Sequence, residues 1–409
     1  VSEVPQPLLV ATEWGAAAAV PLGSLVAIVA FAAFFYRRAL DRAAAPPLAL
    51  VAALTLCGLT AAWLSPVLFS SDVYAYAAYG ELARIGLNPY ALAPTTTHDS
   101  IVRAAQLQWG TAFPICVYGP AFVAFARFVV TSFAPLGPLA QLDAFRVASS
   151  AALLLCIPLA FQAFAGERAR RLRSAATIAL NPAAIWCAAE GHNDAIALAV
   201  VLTGFALVAH RRIAAGAAIA ALSALVKPPG IAAALALAFV DRRARVGALL
   251  GVAGAAALCV PLLRGIATGL APHGIYAPQA SLQAVVAPVS PLLAWILAFA
   301  VAAAIALRGA TMIGNARMEG WIYFAIAVWV LVPNPYPWYG VWLIAVAAMD
   351  PHSRAGKTAI LLSLTAMLRY VPDAVAVPPP ALASLLGLLA ALPLLQLLPF
   401  PSRYNVRPS

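Results

Sequence analysis

Charge is scarce in this sequence: Asp, Glu, Lys and Arg make up 10% of its 409 residues, against about 25% in a soluble domain. Lysine is almost missing, standing only at Lys227 and Lys357, and the acidic residues number 14. So few ionic groups cannot clothe a water-facing surface, which excludes an ordinary soluble domain. Cysteine is sparse as well. Cys57, Cys116, Cys156, Cys187 and Cys259 are scattered, with no C-x-x-C and no Cys/His metal spacing, which excludes zinc-ribbon and dithiol redox motifs and leaves packing as their role. No internal repeat is visible, which speaks against a transporter built on inverted repeats.

What fills the sequence is apolar. Hydrophobic residues reach 64% and the mean hydropathy is +0.92. One lipid-crossing helix takes about 20 mostly apolar residues, and many such windows follow one another between short polar or Pro/Gly-bearing turns. The 25 glycines and 33 prolines are what membrane helices tolerate. The composition predicts an all-α fold, a polytopic transmembrane helical bundle forming a single membrane domain over residues 1–409.

The formal charge of +11 could suggest a nucleic-acid partner, but no single basic patch exists. Basic residues come in seven short groups that hold 18 of the 25: Arg37, Arg38 and Arg42; Arg168, Arg170, Arg171 and Arg173; Arg211 and Arg212; Arg242, Arg243 and Arg245; Arg308 and Arg317; Arg354 and Lys357; Arg403 and Arg407. Each group ends an apolar span and they recur after every second span. That is the positive-inside pattern, so the charge reports topology and no nucleic acid is implied.

With these groups as cytoplasmic anchors, spans read near 15–36, 48–68, 143–165, 174–190, 193–210, 213–226, 230–240, 246–263, 290–307, 319–333, 338–349, 358–371 and 381–399. That makes about thirteen crossings of the plasma (inner) membrane, with the N-terminus outside and the C-terminus inside. The first span is too long for a cleavable signal peptide and carries its basic flank on the C-terminal side. Residues 69–134 form the first large extracytoplasmic loop. Within it, 118–134 reads as an interfacial or re-entrant helix, with Arg127 reaching to the headgroups. Counted as a crossing, it would place Arg168–Arg173 outside.

Polar residues that are not anchors gather on the outer face. Asp72 directly follows an apolar span, so it would sit at the outer membrane boundary, and 72–86 fits an amphipathic helix lying on the membrane surface, with Asp72 as N-cap candidate. Glu190-Gly191-His192-Asn193-Asp194 joins two apolar helices. Ionisable residues at membrane depth are usually functional, although a solvated turn capped by Asn193 or Asp194 is the plain alternative and a Glu190/His192/Asp194 metal site a lesser one. Lys227 stands alone before Pro228-Pro229-Gly230, suited to a phosphate at headgroup level or to lipid anchoring. An aromatic, proline-dense turn follows at Pro333-Asn334-Pro335-Tyr336-Pro337-Trp338-Tyr339, where rings either form an interface belt or stack on a sugar.

The order of these segments carries a resemblance. SSDVYAYAAYGELARIGLNPY, VYGPAFVAFARFVV, LNPAAIWCAAEGHNDAIALAVVLTGFALVAHRR, ALSALVKPPGIAAALAL and PNPYPWYGVWLIAVAAM together resemble the successive signatures of polyprenyl-phosphate-mannose-dependent mannosyltransferases, which are GT-C glycosyltransferases. The likeness covers roughly residues 50–350. It implies an extracytoplasmic active site, a polyprenyl-phosphate sugar donor, a glycan or glycolipid acceptor, and surrounding membrane lipids as partners.

It also implies a first-loop carboxylate as general base, matched here by Asp72. The acidic pair of many such enzymes is not evident: Asp72 has no adjacent acid, unless Glu190 or Asp194 supplies one through space. Lys227 is the first candidate for the donor phosphate, with Arg84, Arg146 and Arg264 behind it. Tyr74, Tyr76, Asn88, Tyr118, Glu190, His192, Asn193, Asp194, Tyr336 and Trp338 are the candidate substrate contacts. One carboxylate acting on the acceptor implies inversion. A lipid-phosphate leaving group makes a divalent metal not obligatory, and no metal site or cofactor is expected. The competing readings are a flippase or transporter of lipid-linked sugars, and a GT-C enzyme using another polyprenyl-phosphate sugar.

Overall fold

A computed structural model describes residues 45–64, 70, 72–94, 114–270, 278–373 and 380–398, with Ala30, Phe34, Tyr36 and Val102 besides. Most of the expected span 15–36 and of the loop segment 95–113 lies outside the described residues. Among the described residues the chain is helical, with no β-strand. The helices are α1 (Leu48–Trp63), α2 (Asp72–Arg84), α3 (Pro120–Phe133), α4 (Pro138–Ala163), α5 (Arg168–Ala179) and α6 (Pro182–Ala189). There follow α7 (Asp194–Ala209), α8 (Ile213–Leu222), α9 (Ile231–Val240), α10 (Arg242–Leu270) and α11 (Leu282–Val286). The last are α12 (Pro291–Gly314), α13 (Gly320–Leu331), α14 (Pro337–Ala347), α15 (Arg354–Thr365) and α16 (Pro380–Ala391).

Local sequence explains the starts. Proline sits in the first turn of α3, α4, α6, α12 and α14, where its missing N–H would be unpaired anyway and its φ suits a helix. Asn181, Ser290 and Ser353 cap α6, α12 and α15 through their side-chain oxygens. Small residues then let backbones meet, as membrane helices require without a hydrophobic drive between them. A Cβ on Gly204 of α7 would collide with the Gly216 carbonyl of α8, and one on Gly216 with that of Gly204. Gly309 and Gly320 stand in the same reciprocal relation between α12 and α13.

Among the described residues three helices are long and apolar enough to cross a bilayer: Pro138–Ala163, the Arg242–Pro261 part of α10, and Pro291–Gly314. The pair α6 and α7 would make a fourth as one broken span, bent by 117°. Other apolar helices run 10–17 residues, shorter than the about 20 needed to span alone. The span read near 174–190 is interrupted at Leu180-Asn181, whereas the one near 213–226 runs as a single apolar helix, Ile213–Leu225, whose last turn is 3-10. Proline, glycine and polar turns thus break the apolar sequence into pieces that periodicity alone joined.

The second departure concerns α2. The sequence suggested a helix lying on a surface, but every residue from Asp72 to Leu82 is buried. α3 packs along it, and Gly80 lies so near the Ala126 backbone that a Cβ would strike it. α3 itself keeps the amphipathic character expected of 118–134: Phe122, Val123, Ala126, Val129 and Val130 are buried while Arg127 and Phe128 are exposed.

Four cores form among the described residues, and two of them meet at the site: the larger unites α1, α4–α7 and α12–α15, and the other is built from α2, α3 and the loop at Tyr118. Basic groups from distant parts of the chain meet at one end of α14. There a cavity of about 520 Å³ is lined by Arg308, Arg317, His352 and Arg354, and Arg170 donates to the Met349 carbonyl at 2.8 Å. The candidate site lies at the other end of α14.

Candidate functional site

The site forms where the two cores touch. Asp72 opens α2, and Tyr76, one turn on, lies on the same face. The Asp72 backbone N–H donates to Ser70 Oγ at 3.2 Å, so the serine caps this end and leaves the carboxylate for other partners. Tyr118 donates its hydroxyl to Asp72 Oδ2 at 3.4 Å, and His192 Nδ1 lies 3.5 Å from that oxygen. Tyr118 is fixed from behind, since Tyr90 donates to its carbonyl at 3.0 Å and the Tyr76 ring packs edge-on at 4.9 Å.

Opposite stands the 190–194 turn. Gly191 has φ +90°, and a Cβ there would press on Val73 and Arg146, so glycine serves both the left-handed backbone and the close approach of α2. Arg146 Nε donates to the Ala189 carbonyl at 2.8 Å, and its guanidinium lies 3.9 Å from the Trp63 ring. Glu190 Oε1 accepts from Trp186 Nε1 at 2.9 Å, and its Oε2 is 3.9 Å from His192 Nε2. Tyr76 donates to Asn193 Oδ1 at 3.4 Å. The turn is buried rather than solvated, and neither Asn193 nor Asp194 caps α7 with its side chain.

Asp194 and Lys227 face each other. Lys227 Nζ donates to Asp194 Oδ2 at 2.5 Å, and Trp342 Nε1 donates to Oδ1 at 2.7 Å. Lys227 is buried, which removes headgroup anchoring as its role. The ammonium also lies 5.9 Å from the Tyr339 ring. Burial pushes the Asp72 carboxyl up to about 6, as does the Asp194 charge, while Lys227 and the Tyr118 and Tyr76 hydroxyls pull the other way. Burial, then Lys227, holds His192 well below its ordinary range.

The aromatic turn closes the site. His192 stacks on Trp338 at 4.4 Å and Trp338 on Tyr336 at 4.3 Å. Arg369 caps the column, its guanidinium 4.4 Å from the Tyr336 ring and donating to its hydroxyl at 2.7 Å. Thus Asp72, Tyr76, Tyr118, Glu190, His192, Asn193, Asp194, Lys227, Tyr336 and Trp338, spread over most of the sequence, form one connected cluster.

Other candidates stand apart. Arg84 ends α2, twelve residues or roughly 18 Å from Asp72, and forks onto Glu81 with two contacts of 2.6 Å. Arg146 holds the turn from outside and pairs with Asp143 at 3.2 Å. Asn88 accepts from the Tyr90 N–H at 3.0 Å and shapes the turn after α2. Tyr74 is buried on α2. Arg264 belongs to α10, where its side chain lies outside the described residues. Among the described residues no three His, Cys, Asp or Glu side chains are grouped to hold a metal, and Asp194 is committed to Lys227 and Trp342.

Sequence reading missed Trp342, Trp186 and Arg369. The first two had a signal: each lies four residues from a named candidate, Trp338 or Glu190, on the same helical face. Arg369 had the signal that singled out Lys227, a lone cation ending an apolar run away from the anchors.

A stretch of 80 residues is 38% identical to Alpha-(1->6)-mannopyranosyltransferase A of Mycobacterium tuberculosis (strain ATCC 25618 / H37Rv), covering 18% of this chain and 15% of that protein. No solved structure gives a significant match. Residues 5–243 match the sequence model of a family described as Alpha-(1->6)-mannopyranosyltransferase, N-terminal domain, a range that holds Asp72, Tyr118, the 190–194 turn and Lys227. With more than half of its length matched, and with the acidic cluster inside the matched part, the chain belongs to the MptA_B family of alpha-(1->6)-mannopyranosyltransferases.

Proposed function

We propose that the chain is a membrane mannosyltransferase. It moves mannose, with inversion, from a polyprenyl-phosphate donor to a glycan- or lipid-linked acceptor on the extracytoplasmic face, and Asp72 is the general base. Family membership supports the sugar. The observation that carries the base is the setting of Asp72: a buried carboxylate turned to Tyr118 and His192 instead of to its own helix. A carboxyl raised to about 6 is ionised at neutral pH yet basic enough to take a proton as the acceptor hydroxyl attacks, an effect worth about 10²–10⁴ in rate.

The leaving group is a phosphate, so no general acid is needed; growing negative charge must be met by fixed donors. Lys227 fills that role, oriented by Asp194 and facing the same cluster. Trp338 and Tyr336, stacked between His192 and Arg369, wall the site. The threading through the plasma membrane belongs to this proposal: Arg170, Arg308, Arg317 and Arg354 gather at one end of α14 and the acidic cluster at the other, which supports a cytoplasmic and an extracytoplasmic side. The test incubates purified full-length protein with radiolabelled polyprenyl-phosphate mannose and a panel of lipid and glycan acceptors. Label transfer abolished by Asp72→Asn supports the reading; no transfer to any acceptor, with donor intact, removes it.

A further inference from the structure

The cavity of about 520 Å³ at the far end of α14 plays no part in the chemistry argued for Asp72, and it is built from three stretches of chain. α12 gives it Arg308 and Met312, one turn apart on one face. The turn after α12 gives Arg317 and Glu319, and α13 gives Tyr323. The α14–α15 turn gives Asp350 and His352, and Arg354 opens α15. Backbone contacts fix this frame: Gly309 and Gly320 leave each other no room for a Cβ, and neither does the Asp350 carbonyl for Gly356.

Charge in the cavity is not balanced from within. Arg317 pairs with Glu319 at 2.7 Å. Asp350 accepts from the Ser353 N–H at 3.3 Å and so serves the turn. Arg308 donates to the Leu397 carbonyl at 3.0 Å and lies 5.3 Å from the Tyr323 ring. Among the described residues neither Arg308 nor Arg354 forms an ion pair. Three guanidiniums thus face two carboxylates, a surplus of one positive charge besides the histidine. A phosphodiester carries one negative charge, and guanidinium forks fit its two free oxygens. The surface beside the cavity says what the ester carries. Leu292, Ile296, Phe299, Ala303 and Leu307 are exposed at helical spacing along α12, and this apolar stripe ends next to Arg308.

We propose that this cavity binds the phosphodiester headgroup of an anionic membrane lipid, with Arg308 and Arg354 on the phosphate and the acyl chains along α12. Basic pockets between membrane helices take such headgroups on the cytoplasmic side, the side this end of α14 faces in the proposed threading. A choline headgroup would bring its own cation against the arginines and is bound less well. A soluble phosphate could use the guanidiniums but would leave the stripe on α12 without a role.

The test titrates the full chain in detergent with dioleoyl-phosphatidylglycerol, dioleoyl-phosphatidylcholine or inorganic phosphate. Thermal melts follow binding, and native mass spectrometry counts the lipid retained. About 0.15 M salt screens exposed charges beyond about 8 Å. Phosphatidylglycerol is expected to raise Tm to a plateau and to leave one molecule on the protein, at an affinity about tenfold or more above that of phosphatidylcholine. Arg354→Gln changes an exposed side chain and should weaken phosphatidylglycerol binding about tenfold or more. Arg308→Gln should do the same, and if it does not fold, Arg354→Gln decides. Arg243→Gln, on the exposed start of α10 and outside the cavity, is the control for general attraction and should change binding by less than about twofold. Equal protection by inorganic phosphate would assign the cavity to a soluble anion and overturn the lipid. Unchanged binding in Arg354→Gln, or an equal loss in Arg243→Gln, would leave only an unspecific belt of anionic lipid and overturn the site. Binding is read without donor or acceptor, so its outcome is independent of mannosyl transfer.

Discussion

Asp72 and Asp194 are both buried, and each opens a helix, yet they are held in opposite ways. Asp194 is fully engaged, one oxygen to Lys227 and the other to Trp342. Asp72, among the described residues, meets the Tyr118 hydroxyl at a long 3.4 Å, the Tyr76 hydroxyl, and a histidine nitrogen at 3.5 Å, with no cation bonded to it. A carboxylate that must hold a lysine in place needs the first setting; one that must accept a proton and give it up needs the second. Under the proposed mechanism the difference separates the acid that is scaffold from the one that is reagent. Near neighbours in charge, the two also act on each other, since Asp194 helps raise the Asp72 carboxyl and Lys227 opposes it.

The sharpest break is Asp72→Asn. Asparagine caps a helix about as well as aspartate, so a structural Asp72 would tolerate it. We expect turnover to fall by about 10²-fold or more while donor binding persists. Thermal stability should not fall. Because burial raises this carboxyl, its ionisation opposes folding, so the variant should match or exceed the wild-type Tm at pH 8. That advantage should shrink as the pH falls below about 6 and be gone only below the ordinary carboxylate value of 3.8, where Asp72 is protonated in both the folded and the unfolded chain. Near-normal turnover would move the base to Glu190 or Asp194.

Asp194→Ala and Lys227→Ala should show the reverse profile. Removing one partner of a buried ion pair leaves an uncompensated charge and destabilises by about 3–5 kcal/mol. Thermal melts should register both losses, and the pair removed together should cost less than the sum. Lys227→Ala should also raise the donor KM, and Lys227→Arg should restore it only in part, because a planar guanidinium differs from a compact ammonium. A stable Lys227→Ala protein with unchanged donor dependence would make the contrast between the two aspartates meaningless.

A smaller effect is expected in the pH profile. With the Asp72 carboxyl near 6, kcat/KM should drop about tenfold per pH unit below that point and level off above it, provided Asp72 acts as base. A limb near the ordinary carboxylate range would mean that water reaches Asp72 more freely than its burial allows.

How legible this was differs by level. Helical class, the Glu190–Asp194 turn and Lys227 could be read directly, because scarce charge makes each isolated ionic residue conspicuous. The burial of α2 could not. Its Ala and Tyr residues suit a membrane surface as well as a core, and the choice was made by α3 and Tyr118, some forty residues on. Helix continuity was equally hidden: Asn181-Pro182 reads as a tolerated break in an apolar run, whereas Asn181 starts a new helix by accepting from the Ala183 and Ala184 N–H groups. The pairing of Asp194 with Trp342 spans 148 positions, and no local pattern announces it.

The smallest expected effect comes from Arg84, the second cation considered for the donor phosphate. Its guanidinium is bound by Glu81 through two contacts of 2.6 Å and is 42% exposed. Glu81 is buried, so losing its partner leaves a carboxylate uncompensated and lowers stability, but a site roughly 18 Å along α2 from Asp72 is too distant to share a phosphate with a base that acts on the same sugar carbon. Arg84→Gln should therefore leave turnover and donor KM within about twofold of the wild type, its effect confined to a fall in Tm. The measurement is steady-state transfer with varied polyprenyl-phosphate mannose, run beside Lys227→Ala. A tenfold rise in donor KM for Arg84→Gln, with little change for Lys227→Ala, would place the phosphate at the far end of α2. It would also reverse the roles argued for the two aspartates, since the lysine held by Asp194 would then serve the fold alone.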